Sequence, residues 1–346
     1  ITADVLGLAD VEHLEKKTPE EVERLIADSH EKFDYLCWDL YARVSAYYHE
    51  HPHALAWREE ALHAIEAGQG TAARLAQLIS DAIVRAHLAT MWRLGITYDV
   101  LPRESEILHL KFWAAAFELL RQRGAVYLET EGKNAGCWVM PGAAYSDEAE
   151  SEDSKVIVRS NGTVTYVGKD IAYQLWKFGL LGRDFYYRPL MQYPNGQQLW
   201  ATTDQPSEQP SPAFGRGARV YNVIDSRQSY LQEVVVAGLR ALGYTQQAER
   251  SVHFSYEMVA LSQRCAAQLG IELAEEDRKH PHVEVSGRKG LGVKADDLID
   301  KLIEEALAEV TSRHPEDPPA KQRRIATQIA VGALRYFMLK YTRNAI

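Results

Sequence analysis

The chain has 346 residues, of which 46% are apolar and 25% charged, and a formal net charge of −9. It can bury a large core, no apolar run reaches the roughly 20 residues that span a bilayer, and the opening ITADVLGLADVEHLEKK lacks the basic-then-apolar order of a signal peptide. Cys37, Cys137 and Cys265 stand far apart with no CxxC pair, which argues against a disulfide framework or zinc ribbon and fits a cytoplasmic protein, while the negative balance means that an RNA partner needs a local basic surface.

Helices are predicted first. Thr18, Pro19 and Glu21 form a capping box, and Val22, Leu25, Ile26, Leu36, Leu40 and Val44 follow helical spacing. A further helix runs from Ala54 to Ala67 and stops at Gly68, and another starts near Thr71 and ends before Gly95. From residue 96 short β-branched runs alternate with helices. LHLKFWAAAFELLRQRG reads as one helix closed by Gly124, AVYLET as a strand, and VIVRS, the turn NG and TVTYVG as further strand. Then follow the helix DIAYQLWKFGLLG, the strand RVYNVID, the helix SYLQEVVVAGLRALGY, the strand SVHFSYEMVAL and the helix DDLIDKLIEEALAEV. Such alternation predicts an α/β fold with a parallel sheet and crossover helices, whose ligands bind at the carboxyl ends of the strands. SDEAESEDSK and TTDQPSEQPSPAFGRG are poor in apolar residues and are expected as mobile insertions.

Three places invite a chemical reading. In VEVSGRKGLGVKADDLID, Ser286, Gly287, Arg288, Lys289 and Gly290 combine a hydroxyl, two cations and close-approaching amides just beyond a strand, the parts needed to hold a polyphosphate. A solvated basic turn has the same local pattern and is the commoner outcome. Tyr166 is placed at a strand end and Asp170 at a helix start. A carboxylate there pairs well with a planar guanidinium, although an aspartate in that position is more often a helix cap. HEHPH, with His49, His51 and His53, suits a helix-to-helix turn better than a metal site, and no metal-ligand set is assigned.

VSGRKG followed by GVKADDLIDKLIEEA resembles the signature loop of class I aminoacyl-tRNA synthetases in its arginyl form. NGTVTYVGKDIAYQLWKFGLLG, VYNVIDSRQSYLQEVVVAGLRALGY, HFSYEMVAL and IAVGALRYFML are similar to arginyl-tRNA synthetase segments in the same order. LGITYDVLPRESEIL and EGKNAGCWVM continue the match, which is unbroken from about residue 90. The resemblance implies a Rossmann-like class I core and divides the chain into a helical insertion at 1–95, the second part of the catalytic core at 96–312, and the start of a helical anticodon-binding domain at 313–346. It implies that Tyr166, Asp170 and Gln228 receive L-arginine, that Ser286, Arg288 and Lys289 act on the phosphates of ATP with Gly287 and Gly290, and that Met258, Val259 and His253 border the adenine. ATP with Mg2+, tRNA(Arg), and a cytoplasmic monomer without membrane association follow from the same likeness.

The sequence also departs from the family. It holds no HIGH motif, ITADVLGLADV looks like the segment after the first crossover, and most of the anticodon-binding domain is expected beyond the stretch 313–346 that opens it. Glu284 and Gly287 occupy positions that are lysines in the strict KMSKS form, and Leu231 stands where many arginyl enzymes carry a histidine. The expected function is therefore arginine-tRNA ligation by a partial enzyme. The alternatives are a catalytically silent paralogue that binds RNA or an amino acid, and an ATP-using ligase for another cation.

Overall fold

The computed structural model describes residues 18–28, 32–141, 154–207, 209–257, 260–268, 270, 279, 282–284 and 293–340. Two compact units result: one draws on Ile1–Thr97 and Val259–Thr342, the other is Tyr98–Met258. Residues 259–312 are thus grouped with the N-terminal helices, whereas the sequence reading grouped them with 96–258.

The first unit opens with α1 (Pro19–Asp28) and α2 (Phe33–Glu50). The capping box forms: the Thr18 amide donates to Glu21 Oε2 at 2.8 Å and the Glu21 amide to Thr18 Oγ1 at 3.3 Å. The periodic run from Val22 to Val44 resolves into these two helices, with 29–31 outside the described residues. A 3-10 turn at Pro52–Ala54 leads into α3 (Leu55–Ala67), which ends at Gly68 with φ 68°, and α4 (Gly70–Arg93) follows. His51 stacks on Tyr47 at 4.1 Å and meets His53 edge-on at 5.9 Å, and His53 in turn meets Trp57 at 6.0 Å. The histidine cluster is an aromatic ladder across a turn, and among the described residues no group of three or more potential ligands could hold a metal.

The second unit contains β1 (Val100–Leu101), α5 (Glu104–His109), α6 (Phe112–Gln122), β2 (Tyr127–Leu128), β3 (Trp138–Met140) and β4 (Lys155–Val158). It continues through α7 (Tyr166–Lys177), β5 (Tyr186–Gln192), β6 (Gln198–Thr203), β7 (Val220–Asp225), α8 (Ser229–Ala241), α9 (Thr245–Glu249) and β8 (Ser251–Tyr256). The fold is α/β, and its parallel pairs are β1 with β6 and β7 with β8, the latter bridged by α8 and α9. Beside them stand three antiparallel pairings that the alternation did not foresee. β5 pairs with β6 as a hairpin, and β2, β3 and β4 form a meander.

Three further details differ from the sequence reading. The predicted helix 108–124 is two helices, because Lys111 takes a left-handed conformation, φ 56°, between α5 and α6. TVTYVG is not a strand: after the Asn161-Gly162 turn only Val164 bridges back to Val158, and α7 begins at Tyr166. The helix wins there because Val167 and Ile171 bury on its inner face and Gly168 lets Trp113 close in. A Cβ on Gly168 would stand 2.9 Å from both Trp113 and Val164. Finally, the Pro-rich segment after β6 is docked on the core. The Ser207 hydroxyl accepts the Tyr187 amide at 2.8 Å, Phe214 packs on Tyr187, and the Gly217 amide donates to the Lys177 carbonyl at 2.8 Å. The acidic residues 146–153 lie outside the described residues.

The core of this unit gathers Phe112, Trp113 and Leu120 of α6, Ile171 and Leu175 of α7, and Val234 and Leu239 of α8, with Met140 and Ile157 from the meander. Burying side chains of this size contributes roughly 1.5–3 kcal/mol each.

The chain re-enters the first unit with β9 (Ala260–Ser262), α10 (Gln263–Gln268), β10 (His282–Glu284), α11 (Ala295–Arg313) and α12 (Pro319–Lys340). β9 and β10 pair antiparallel, and SVHFSYEMVAL is thereby split into β8 and β9. α11 and α12 pack through Ile299, Ile303 and Ala330. Asp296 and Asp297 at the start of α11 are gripped by α2 and α4. Arg93 donates to both Asp296 and Asp300, Thr90 Oγ1 donates to Asp296 at 2.9 Å, and the Tyr35 hydroxyl donates to Asp297 at 2.7 Å. Burial would raise the Asp296 carboxyl, but the hydrogen bonds from Thr90 and Arg93 and the charge of Lys32 hold it below the usual carboxylate value. No helix among the described residues is long and apolar enough to cross a membrane.

Candidate active site

Tyr166 and Asp170 were predicted to meet across a strand-to-helix loop. They sit instead on one helix, four residues apart, and so share a face of α7. Asp170 is not the helix cap either; that position belongs to Thr165, whose hydroxyl donates to the Val156 and Ile157 carbonyls. The stripe Tyr166, Asp170, Gln174, Lys177 runs from solvent to interior. Tyr166 is 73% exposed and Gln174 is 2% exposed. Lys169, 5.9 Å from the Tyr166 ring centroid, is paired with Glu104 at 3.1 Å, so the aromatic face is already next to a cation.

The outer carboxylate is accessible to solvent yet flanked by enough protein that partial desolvation raises it. The charge of Lys177 opposes that effect and Glu104 adds to it. Such a carboxylate gains from an incoming cation, because the cation supplies the stabilisation that lost water does not.

The inner end of the stripe is a hydrogen-bonded network. Lys177 Nζ donates to Asn222 Oδ1 at 2.8 Å, and Asn222 Nδ2 is shared between Gln232 Oε1 at 3.0 Å and Gln174 Oε1 at 3.3 Å. Gln174 Nε2 then reaches Ser251 Oγ at 2.7 Å. Four elements are tied together in this way: α7, β7, α8 and β8. The Lys177 ammonium also lies 4.4 Å from the centroid of Tyr173, whose ring stacks on Trp176. Burial lowers Lys177 to about 8, with Asp170 opposing the shift, and burial pushes the Tyr173 hydroxyl up to about 12.

Gln228 stands where β7 ends. Asp225 accepts the Arg227 amide at 2.9 Å, a 3-10 turn covers Ser226–Gln228, and Gln228 is the N-cap residue of α8. Gln232 follows one helical turn later, so Gln228 and the buried network lie on neighbouring turns of the same helix. This is the carboxyl end of a parallel strand, where the alternation of strands and helices placed a ligand. His253, on β8 and in register with Asn222, directs Nε2 to the Ile224 carbonyl at 2.9 Å and so helps to hold β7.

Met258 and Val259, and Ser286, Gly287, Arg288, Lys289 and Gly290, lie outside the described residues. Sequence reading did not single out Lys177, Asn222, Gln174 or Gln232. The available signal was a glutamine on the otherwise apolar arc of each of two helices, beside Ile171 and Leu175 in α7 and Val235 and Leu239 in α8.

The fold is that of a class I aminoacyl-tRNA synthetase. A solved Thermus thermophilus arginyl-tRNA synthetase matches it with a TM-score of 0.69 at 30% identity, over 86% of this chain and 44% of that one. An arginyl-tRNA synthetase from Plasmodium falciparum shares the fold at a TM-score of 0.51 and 10% identity. Among curated relatives named arginine–tRNA ligase, that of Deinococcus radiodurans is 37% identical over 285 residues, which is 81% of this chain and 42% of the relative. The Thermus thermophilus and Thermococcus kodakarensis ligases are 34% and 31% identical over 90% and 94% of this chain, and 47% and 49% of their own lengths. No protein-family model matches the chain. The chain belongs to the arginyl-tRNA synthetase family, and it spans about half the length of the curated relatives it matches.

Proposed function

We propose that the protein acts as an arginine-tRNA ligase, which activates L-arginine with ATP and passes the arginyl group to tRNA(Arg). The observation that carries this reading is the accessible Asp170 carboxylate, one turn from Tyr166 on α7, on a helix whose Gln174 is tied through Asn222 to Gln232, one turn beyond Gln228, in a chain related to named arginine–tRNA ligases. A guanidinium offers paired N–H donors in one plane, and a carboxylate accepts two of them side by side. Tyr166 supplies an aromatic wall for the flat cation, and Gln228 offers an amide to orient the amino acid.

In the activation step the arginine carboxylate attacks the α-phosphorus of ATP as the bond to pyrophosphate breaks, so no protein nucleophile is needed and catalysis rests on position and charge. The composition of the signature loop supports assigning Ser286, Arg288 and Lys289 to the departing phosphates, with Gly287 and Gly290 allowing close approach. Met258, Val259 and His253 border the adenine in this reading. Magnesium arrives with ATP as the counter-ion of its phosphates. Three cysteines without a disulfide suit a reducing, cytoplasmic setting, and the protein works there as a monomer.

The test is exchange of pyrophosphate into ATP in the presence of arginine and tRNA(Arg), together with arginine binding by calorimetry. Asp170→Asn keeps the shape and loses the charge, and it should weaken arginine binding by about tenfold to a hundredfold, while ATP binding stays unchanged. Equal affinity of the two proteins for arginine would overturn the assignment.

A further inference from the structure

We propose that Lys177 is a positioning and affinity-setting residue: its ammonium is an internal cation that tempers the attraction of Asp170 for guanidinium, according to its own state of protonation. This rests on the arginine-binding reading of the α7 face.

The geometry begins with helix direction. Side chains on an α-helix lean toward its N-terminus, so a long chain at 177 reaches back along its own face toward 173 and 170. Lys177 does so, with Nζ 4.4 Å from the Tyr173 ring centroid and donating to Asn222 Oδ1 at 2.8 Å. The ammonium is held rather than free to swing into solvent. Asn222 is itself fixed, since its amide is engaged by Gln174 and Gln232. The cation is therefore fixed in place on the same face as Asp170, and each perturbs the other's charge.

The surroundings identify which group sets the response. From α7 itself, Asp170, Tyr173, Lys169 and Gln174 share or border the face; α5 contributes Glu104, paired with Lys169, and Tyr187 of β5 lies beyond Tyr173. β7, α8 and β8 contribute the uncharged Asn222, Gln232 and Ser251. Burial raises both tyrosines, Tyr173 to about 12, which leaves Lys177 as the group of this cluster that changes charge between neutral and mildly alkaline pH. While it is charged, it repels a guanidinium at Asp170. Once neutral, it leaves the carboxylate its full attraction and still hydrogen-bonds Asn222.

The consequence is measurable by titrating L-arginine into the full chain at about pH 7 and about pH 9, for the parent protein, Lys177→Arg and Lys177→Met. Two charges some residues apart at an effective dielectric of roughly 20 predict a gain of about threefold to tenfold in parent affinity between these pH values, relative to Lys177→Arg, which stays charged throughout. Any titration of arginine itself is common to both proteins and cancels. Lys177→Met should bind with higher affinity than the parent at about pH 7 and match it at about pH 9, and near-ultraviolet circular dichroism reports whether its fold is kept. Should Lys177→Met unfold, the comparison of parent with Lys177→Arg still decides. Parallel pH profiles for those two proteins would overturn the proposal while leaving the arginine-binding reading intact. Failure of the parent protein to bind arginine at either pH would overturn that reading, and this inference with it.

Discussion

The two units solve the same problem, holding polar side chains between packed elements, in opposite ways. At the start of α11 the first unit uses full charges near the surface: Arg93 is 30% exposed and spans Asp296 and Asp300. The second unit uses neutral amides in its interior, where Gln174, Asn222 and Gln232 are 2%, 8% and 7% exposed and satisfy one another. The difference is instructive because ion pairs near water contribute little and are screened by salt, whereas an amide without a partner in the interior costs its whole desolvation penalty.

The sharpest way to break the contrast is Asn222→Leu. It strands the Gln174 and Gln232 carbonyl oxygens and the Lys177 ammonium at once, and should cost on the order of 3–5 kcal/mol in urea denaturation, insensitive to salt. A loss below about 1 kcal/mol would mean that water replaces the amide, and the network would then not be a dry one. Removing the fork at Arg93→Ala should cost only about 1 kcal/mol, and most of that loss should vanish in molar salt. The pH dependence of that cluster has a definite sign. The Asp296 carboxyl is held below its unfolded value, so its contribution is present above the usual carboxylate range and fades as pH falls through its depressed folded value. Arg93→Ala should flatten that acid limb of a thermal-stability profile.

The smallest expected effect concerns Glu106 of α5, 6% exposed, whose carboxyl burial raises against the opposing hydrogen bond from Thr202. A carboxyl raised in the folded state stabilises when protonated and loses that contribution as pH rises through its folded value, so it is a liability at neutral pH. Glu106→Gln keeps size and hydrogen bonding, and should raise Tm by a few degrees at neutral pH and by less in mild acid.

Local grammar was readable where one residue decides. Thr18 with Glu21 announced α1, and Gly68 announced the end of α3, because caps and left-handed stops act within a single turn. The start of α7 was misread for the complementary reason. Thr163, Val164 and Thr165 are good strand formers, but the contact of Gly168 with Trp113, 55 residues away in sequence by their numbering, lies outside any local window. The β5–β6 hairpin was available in Pro194, Asn195 and Gly196, the last at φ 88°, between the runs YYRPLMQ and QLWATT, and went unread. Of the candidate site, Tyr166, Asp170 and Gln228 were reached through likeness to a family, while the amide network beneath them was not. A lone glutamine among apolar residues declares no partner until the fold supplies one.

The segment that leaves β6 shows where this protein can change length. Pro210 and Pro212 are exposed, so added residues there should be absorbed as slack. By Gly215 that tolerance ends: this glycine passes so close to the Trp176 carbonyl that a Cβ would stand 3.0 Å from it, and Gly217 ties off the last turn of α7. A strand-to-strand connection thus doubles as the splice that keeps the far end of the helix bearing Asp170 from fraying.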